Sequence, residues 1–62
     1  MKTKPKEYVV IGLYEDNMQR YADSFQARSP EEAEEKAKKV AREFEKTDLI
    51  VAAVLLDGKV VA

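Results

Sequence analysis

Asp48–Leu56 reads DLIVAAVLL, one aspartate followed by eight apolar residues without a break. A strand with one face in water alternates apolar and polar side chains, because successive side chains point to opposite faces of the sheet. This segment does not alternate, so as a strand it is expected to be covered on both faces. The chain has 62 residues and one evident helix, and one helix covers one face only. What lies against the other face is therefore the functional question.

The helix is the strongest local signal: RSPEEAEEKAKKVAREFEK, residues 28–46. Ser29 suits the N-cap, Pro30 the first helical position, and Glu32 completes a capping box with Ser29. Glutamates crowd the first two turns and lysines with one arginine the later ones, as the helix dipole favours. Ala33, Ala37, Val40, Ala41 and Phe44 fall on one stripe of a helix expected from about Pro30 to Lys46. Three of these five are alanine, so the helix can lie close to whatever it covers.

Upstream, Tyr8–Tyr14 (YVVIGLY) is rich in β-branched and aromatic residues, which suit a buried pleated surface. Glu15-Asp16-Asn17 supplies turn chemistry, and the more polar Met18–Ala27 reads as the returning strand of an antiparallel hairpin. Downstream, Asp57-Gly58 is a two-residue hairpin signal that makes Lys59–Ala62 a short fourth strand. Lys2, Lys4 and Lys6 with Pro5 form a basic arm expected to be mobile over residues 1–6, leaving 7–62 as one domain. The class expected is α+β, ββαββ. A right-handed crossover through the helix puts strand three parallel to strand two, with strand one between them, giving the sheet order 2-1-3-4.

Alternation divides strand one into Val9, Ile11 and Leu13 on one face and Tyr8, Val10, Gly12 and Tyr14 on the other. The aliphatic set is expected to face the alanine-lined helix. A hairpin tip at Asp16-Asn17 sets Tyr8 opposite Phe25 and Gly12 opposite Tyr21. The open face would then present Tyr8, Val10, Tyr14, Tyr21 and Phe25, with Ile50, Ala52, Val54 and Leu56 from strand three. A one-residue slip would redistribute them all. Such a patch exceeds what a monomer of this size usually exposes, and a stable interface buries roughly 700 Å² per chain. A second copy is the expected occupant, forming a homodimer; another protein is the alternative. Asp23, mid-strand between Tyr21 and Phe25, is expected at an exposed edge.

The chemistry-bearing residue types are sparse. There is no cysteine and no histidine, which removes disulfides, thiolate metal sites, the commonest zinc ligand and the usual neutral-pH base. The serines have no histidine partner, and the two glycines lie far apart, so neither a nucleophile nor a phosphate loop is expected. Glu31-Glu32 and Glu34-Glu35 read as a solvated helix face. An enzyme, a cofactor, a metal or a small-molecule ligand is not inferred. The net charge of −1, from 11 basic and 12 acidic residues, does not draw the chain to nucleic acid or an anionic membrane. No run approaches the roughly 20 apolar residues of a membrane span, and a soluble, cytoplasmic protein is expected.

Two further readings stand beside the homodimer. Aromatic residues on a sheet face near Lys4, Lys6, Arg20 and Arg28 could stack single-stranded nucleic acid, although no RNA-recognition signature accompanies them. The regular capping, the Glu/Lys/Ala helix and the Asp-Gly turn are also the choices of an idealised, designed sequence whose role is only to fold or assemble. The hairpin followed by SPEEAEEKAKKVA is similar, over residues 8–44, to the N-terminal part of HicB-type antitoxins, where strands precede a Glu- and Ala-rich helix. The Gly-Cys-bearing third strand that those proteins place before the helix is absent here, and no membership is assigned.

Overall fold

A computed structural model describes residues 4–62. Four strands, β1 (Lys6–Tyr14), β2 (Arg20–Ala27), β3 (Leu49–Leu56) and β4 (Lys59–Val60), form one sheet in the order β2-β1-β3-β4, with all neighbours antiparallel. The α-helix α1 (Pro30–Val40) covers one face and continues into a π-helical turn, Ala41–Glu45. Of the basic arm expected over residues 1–6, residues 1–3 lie outside the described residues, and Lys6 already belongs to β1.

The local signals act as their chemistry requires. Glu32 N–H donates to Ser29 Oγ at 3.1 Å and closes the N-cap. The reciprocal bond of the capping box is displaced by one residue: Glu32 Oε1 accepts from Arg28 N–H at 3.4 Å, not from Ser29. At the far end Lys46 adopts φ 58° and its N–H returns to the Ala41 carbonyl, the left-handed stop of a helix terminus. Asp57 (φ 53°) and Gly58 (φ 78°) both take positive φ, as a two-residue hairpin demands. The β1–β2 register is the one expected from a tip at Asp16-Asn17, with Tyr8 opposite Phe25 and Gly12 opposite Tyr21. Beyond β4 the chain stays with β3, since Val61 N–H donates to the Val54 carbonyl and Val54 N–H to that of Ala62.

The face assignment, however, is the reverse of the expected one. Tyr8, Val10, Tyr21 and Val54 are buried in the core with Ala27, Ala33, Ala37, Ala41 and Leu49, and Tyr14, Phe25, Val51 and Leu56 pack against them. Val9, Ile11 and Ile50 are exposed instead. The cause is volume complementarity. An alanine stripe brings the helix close but supplies little side-chain volume, so the bulky tyrosines, Phe25 and Val10 must fill the layer from the sheet side. Aliphatic residues of moderate size would have left voids there.

A second correction concerns β3. Its pairing with β1 shifts between Ile11 and Gly12: Ile11 lies opposite Ala53, but Gly12 lies opposite Val51, so Ala52 is the extra residue of a β-bulge. The bulge resets the alternation. Leu49 and Val54, assigned to opposite faces by simple parity, are both buried on the helix side, whereas Ile50 remains on the open face and Ala52 is exposed at the bulge. Phe44 also departs from the expected stripe and is 74% exposed. The wider π turn that begins at Ala41 rotates it off the line of Ala33, Ala37 and Ala41.

Candidate functional site: the open face of the sheet

With the helix side filled, the opposite face of the sheet carries Val9, Ile11 and Leu13 from β1, Ala22 and Ser24 from β2, and Ile50, Ala53 and Leu55 from β3. Register alone groups them, because cross-strand partners share a face: Val9 pairs with Ser24 and Leu55, Ile11 with Ala22 and Ala53, and Leu13 with Ile50. Ala52 lies exposed beside them at the bulge, and Val60, opposite Leu55, extends the patch onto β4. Val9, Ile11 and Ile50 are each about two-fifths exposed (37%, 39% and 43%), high for large aliphatic residues in the middle of a sheet. None of these side chains carries a charge or an aromatic ring.

Of the nine residues expected on this surface, then, Ile50 is there, and Ala52 is exposed at the bulge. Tyr8, Val10, Tyr14, Tyr21, Phe25, Val54 and Leu56 belong to the helix side. The patch keeps its apolar character but changes its chemistry from aromatic to aliphatic. The missed residues, Val9, Ile11 and Leu13, were visible in the sequence as a period-two set; what the sequence lacked was any signal saying which set the helix covers.

The molecule is a slab. Its Cα atoms span 41 × 22 × 13 Å, the thickness of one sheet with one helix on it. The chain exposes 4678 Å², against about 4,000 Å² for a compact monomer of 7.0 kDa. Three strands about 4.8 Å apart, each contributing about five residues at about 3.3 Å, with the two-residue β4 beside them, give the open face roughly 270 Å² in projection and on the order of 400 Å² accessible. That is smaller than the sequence suggested, and within the range of the largest single patch on a typical monomer.

The outer edge of β2 is partly closed to further strands. On β2, the outer strand, Ser24 N–H donates to Asp23 Oδ1 at 2.8 Å, and Lys36 Nζ, reaching across from α1, donates to the Gln26 carbonyl. Asp23 is exposed at this edge, as expected, and its carboxylate occupies a backbone donor that a pairing strand would need. At the opposite edge β4 has only two residues.

Part of the polar surface is paired internally. The depression lined by Glu15, Asp16, Arg42, Lys46, Thr47 and Asp48 joins the β1–β2 turn to the end of the helix. Asp16 N–H donates to Thr47 Oγ1 at 3.2 Å, Glu15 N–H to the Asp48 carbonyl at 2.9 Å, and Arg42 Nε to Asp48 Oδ1 at 2.9 Å. These contacts anchor the turn to the helix terminus. Among the described residues no group of three or more histidine, cysteine, aspartate or glutamate side chains could hold a metal ion. The perturbed titrating groups lie on the helix side: burial first, then the Asp23 carboxylate and Tyr14, push the Tyr21 hydroxyl up to about 12. Tyr14, edge-on to Tyr21 with ring centroids 5.5 Å apart, is raised chiefly by burial too.

No protein-family model matches the chain, and no curated protein or solved structure matches it. Among the described residues no helix is long and apolar enough to cross a membrane.

Proposed function

We propose that the protein is a non-enzymatic interaction module that self-associates through the open face of its sheet. The observation that carries this reading is the continuous aliphatic surface of Val9, Ile11, Leu13, Ile50 and Leu55, central in the sheet and opposite the helix. A second copy supplies a surface of the same chemistry and size, which is what a two-fold homodimer needs. The capped β2 edge disfavours strand addition on that side of the sheet. Two faces of on the order of 400 Å² bury about 800 Å² together, below a standard interface, so the dimer is weak and reversible. Aromatic stacking of single-stranded nucleic acid finds little support, because Tyr8 and Tyr21 are 5% and 7% exposed and lie under the helix.

Molar mass by light scattering, measured from micromolar to millimolar chain, tests the proposal. The wild type is expected to move from near 7.0 kDa towards twice that value as concentration rises. Ile11→Lys, which places an ammonium at the centre of the patch, is expected to remain monomeric with an unchanged far-ultraviolet spectrum. A wild type that stays monomeric across the range overturns the proposal, as does an Ile11→Lys chain that dimerises equally well.

A further inference from the structure

The aliphatic row of β1 has an acid at one end and a base beside the other. The open-face row of β1 runs Glu7, Val9, Ile11, Leu13, since Tyr8, Val10 and Gly12 lie on the other side. Glu7 stands at one end of this row beside Gln26, and Arg20 stands at the other end as the cross-strand partner of Leu13. Both are exposed. Among the described residues the ion pairs are Lys36–Glu32, Lys38–Glu34, Lys39–Glu43 and Arg42–Asp48, and neither Glu7 nor Arg20 enters one. Lys6 and Lys59 fall on the helix side by register, Asp57 adds a second acid at the Glu7 end, and Arg28 lies past the end of β2, where its N–H turns to Glu32 of the helix. Glu15 follows Tyr14 just past the end of β1, its N–H donating to the Asp48 carbonyl.

Two identical faces can meet about a two-fold axis in only two ways that keep their strands aligned. With the axis along the strands, Glu7 lies over Glu7 of the second copy and the two Arg20 side chains share one end. With the axis across the strands, the copies run antiparallel, each Glu7 end covers the other copy's Arg20 end, and Val9 of one copy covers Leu13 of the other. We infer that the module described above assembles in this second, antiparallel arrangement, with two symmetry-related Glu7–Arg20 pairs between copies. Packed sheets stand about 10 Å apart, a gap that a glutamate and an arginine reaching towards each other span at the rim. Such rim pairs fix orientation and register more than they add affinity, because like-charge contact in the alternative arrangement is penalised. This inference rests on the face-to-face reading and adds to it the orientation of the partner.

Charge reversal separates the two. In Glu7→Lys every antiparallel contact sets the introduced lysine against Arg20, and in Arg20→Glu every contact sets Glu7 against the introduced glutamate. Each variant alone is expected to associate about tenfold more weakly than the wild type at low ionic strength, with the difference shrinking in high salt. An equimolar mixture makes both pairs oppositely charged in the heterodimer, and the double variant Glu7→Lys/Arg20→Glu restores both pairs, with their signs exchanged, in the homodimer. Sedimentation equilibrium of the wild type, both single variants and the double variant reads all of this. Both sites are exposed at the rim, and thermal melts confirm that each variant folds. If the wild type dimerises but the single variants dimerise as well as it does, the antiparallel orientation is overturned while the face-to-face interface stands. If the wild type never dimerises, the interface and the orientation fall together.

Discussion

Gly12→Ala is the substitution for which the structure makes its most quantitative demand. Gly12 lies on the helix side of β1, where the bulge of β3 brings backbone unusually near. A Cβ at this position would stand 2.2 Å from the Ile50 carbonyl oxygen, 3.1 Å from its carbonyl carbon and 3.2 Å from Val51 Cα. All three are backbone atoms, and real Cβ contacts essentially never fall under 3.0 Å, so β1 and β3 must move apart rather than a side chain swing away. Overpacking of this kind costs about 1–3 kcal/mol, and each ladder hydrogen bond lost beside the bulge costs about 1 kcal/mol more. Against this, alanine gains about 0.5–1 kcal/mol over glycine in a strand because the unfolded chain has less freedom to lose. Gly12 does not have positive φ, so no backbone penalty is added. The net expectation is a loss of about 3 kcal/mol. A domain of this size has only about 3–9 kcal/mol of stability. Thermal unfolding followed by circular dichroism is expected to fall by about 10–20 °C. An alanine variant that melts at or above the wild-type temperature would show that the close approach of β3 at Ile50, and with it the bulge, is wrong.

Three further outcomes follow from the same geometry. Val10→Asp buries a carboxylate without a partner and is expected to unfold the domain, whereas Ile11→Lys one residue away leaves the monomer's melting temperature within about 3 °C of wild type; equal effects at the two sites would refute the face assignment. Because the Tyr21 hydroxyl is raised to about 12, the folded chain keeps a proton that the unfolded chain releases near pH 10, so stability is fully present below pH 10 and falls by about 2 kcal/mol as pH rises through 12. Tyr21→Phe deletes a buried hydroxyl that has no hydrogen-bond partner, and urea melts should show it about 1 kcal/mol more stable at pH 7 with a flatter alkaline profile; a destabilised variant would mean that the hydroxyl has a partner after all. Lys46→Gly relieves a left-handed lysine (φ 58°) at the helix stop and is expected to raise stability by about 0.5–1 kcal/mol in the same melts.

Much of this protein is legible in its sequence, and the legible parts share a cause. Ser29, Pro30 and Glu32 start the helix, Asp57-Gly58 closes the last hairpin, and Asp16-Asn17 sets the register of the first, because each acts on backbone within a few residues of itself. The sheet order follows from the same local information, since a right-handed crossover leaves one place for β1. The extent of β3, Leu49–Leu56, was also correct, and its lack of alternation marked a strand with apolar residues on both faces.

Orientation was not local. Alternation divides β1 into Tyr8, Val10, Gly12 and Tyr14 against Val9, Ile11 and Leu13, and both sets are apolar enough to be core. Only the helix decides between them: its small alanines leave a layer that the large tyrosines, Phe25 and Val10 fill, and the aliphatic set is left outside. The bulge at Ala52 was equally hidden, because nothing in LIVAAVLL marks one alanine as extra; it appears only when β3 is laid against β1 at Gly12, where the missing Cβ gives the Ile50 carbonyl room. The sequence by itself determined which strands and helix form and how they connect. Packing volume and one backbone irregularity, both properties of elements in contact, decided which face of the sheet a partner could meet.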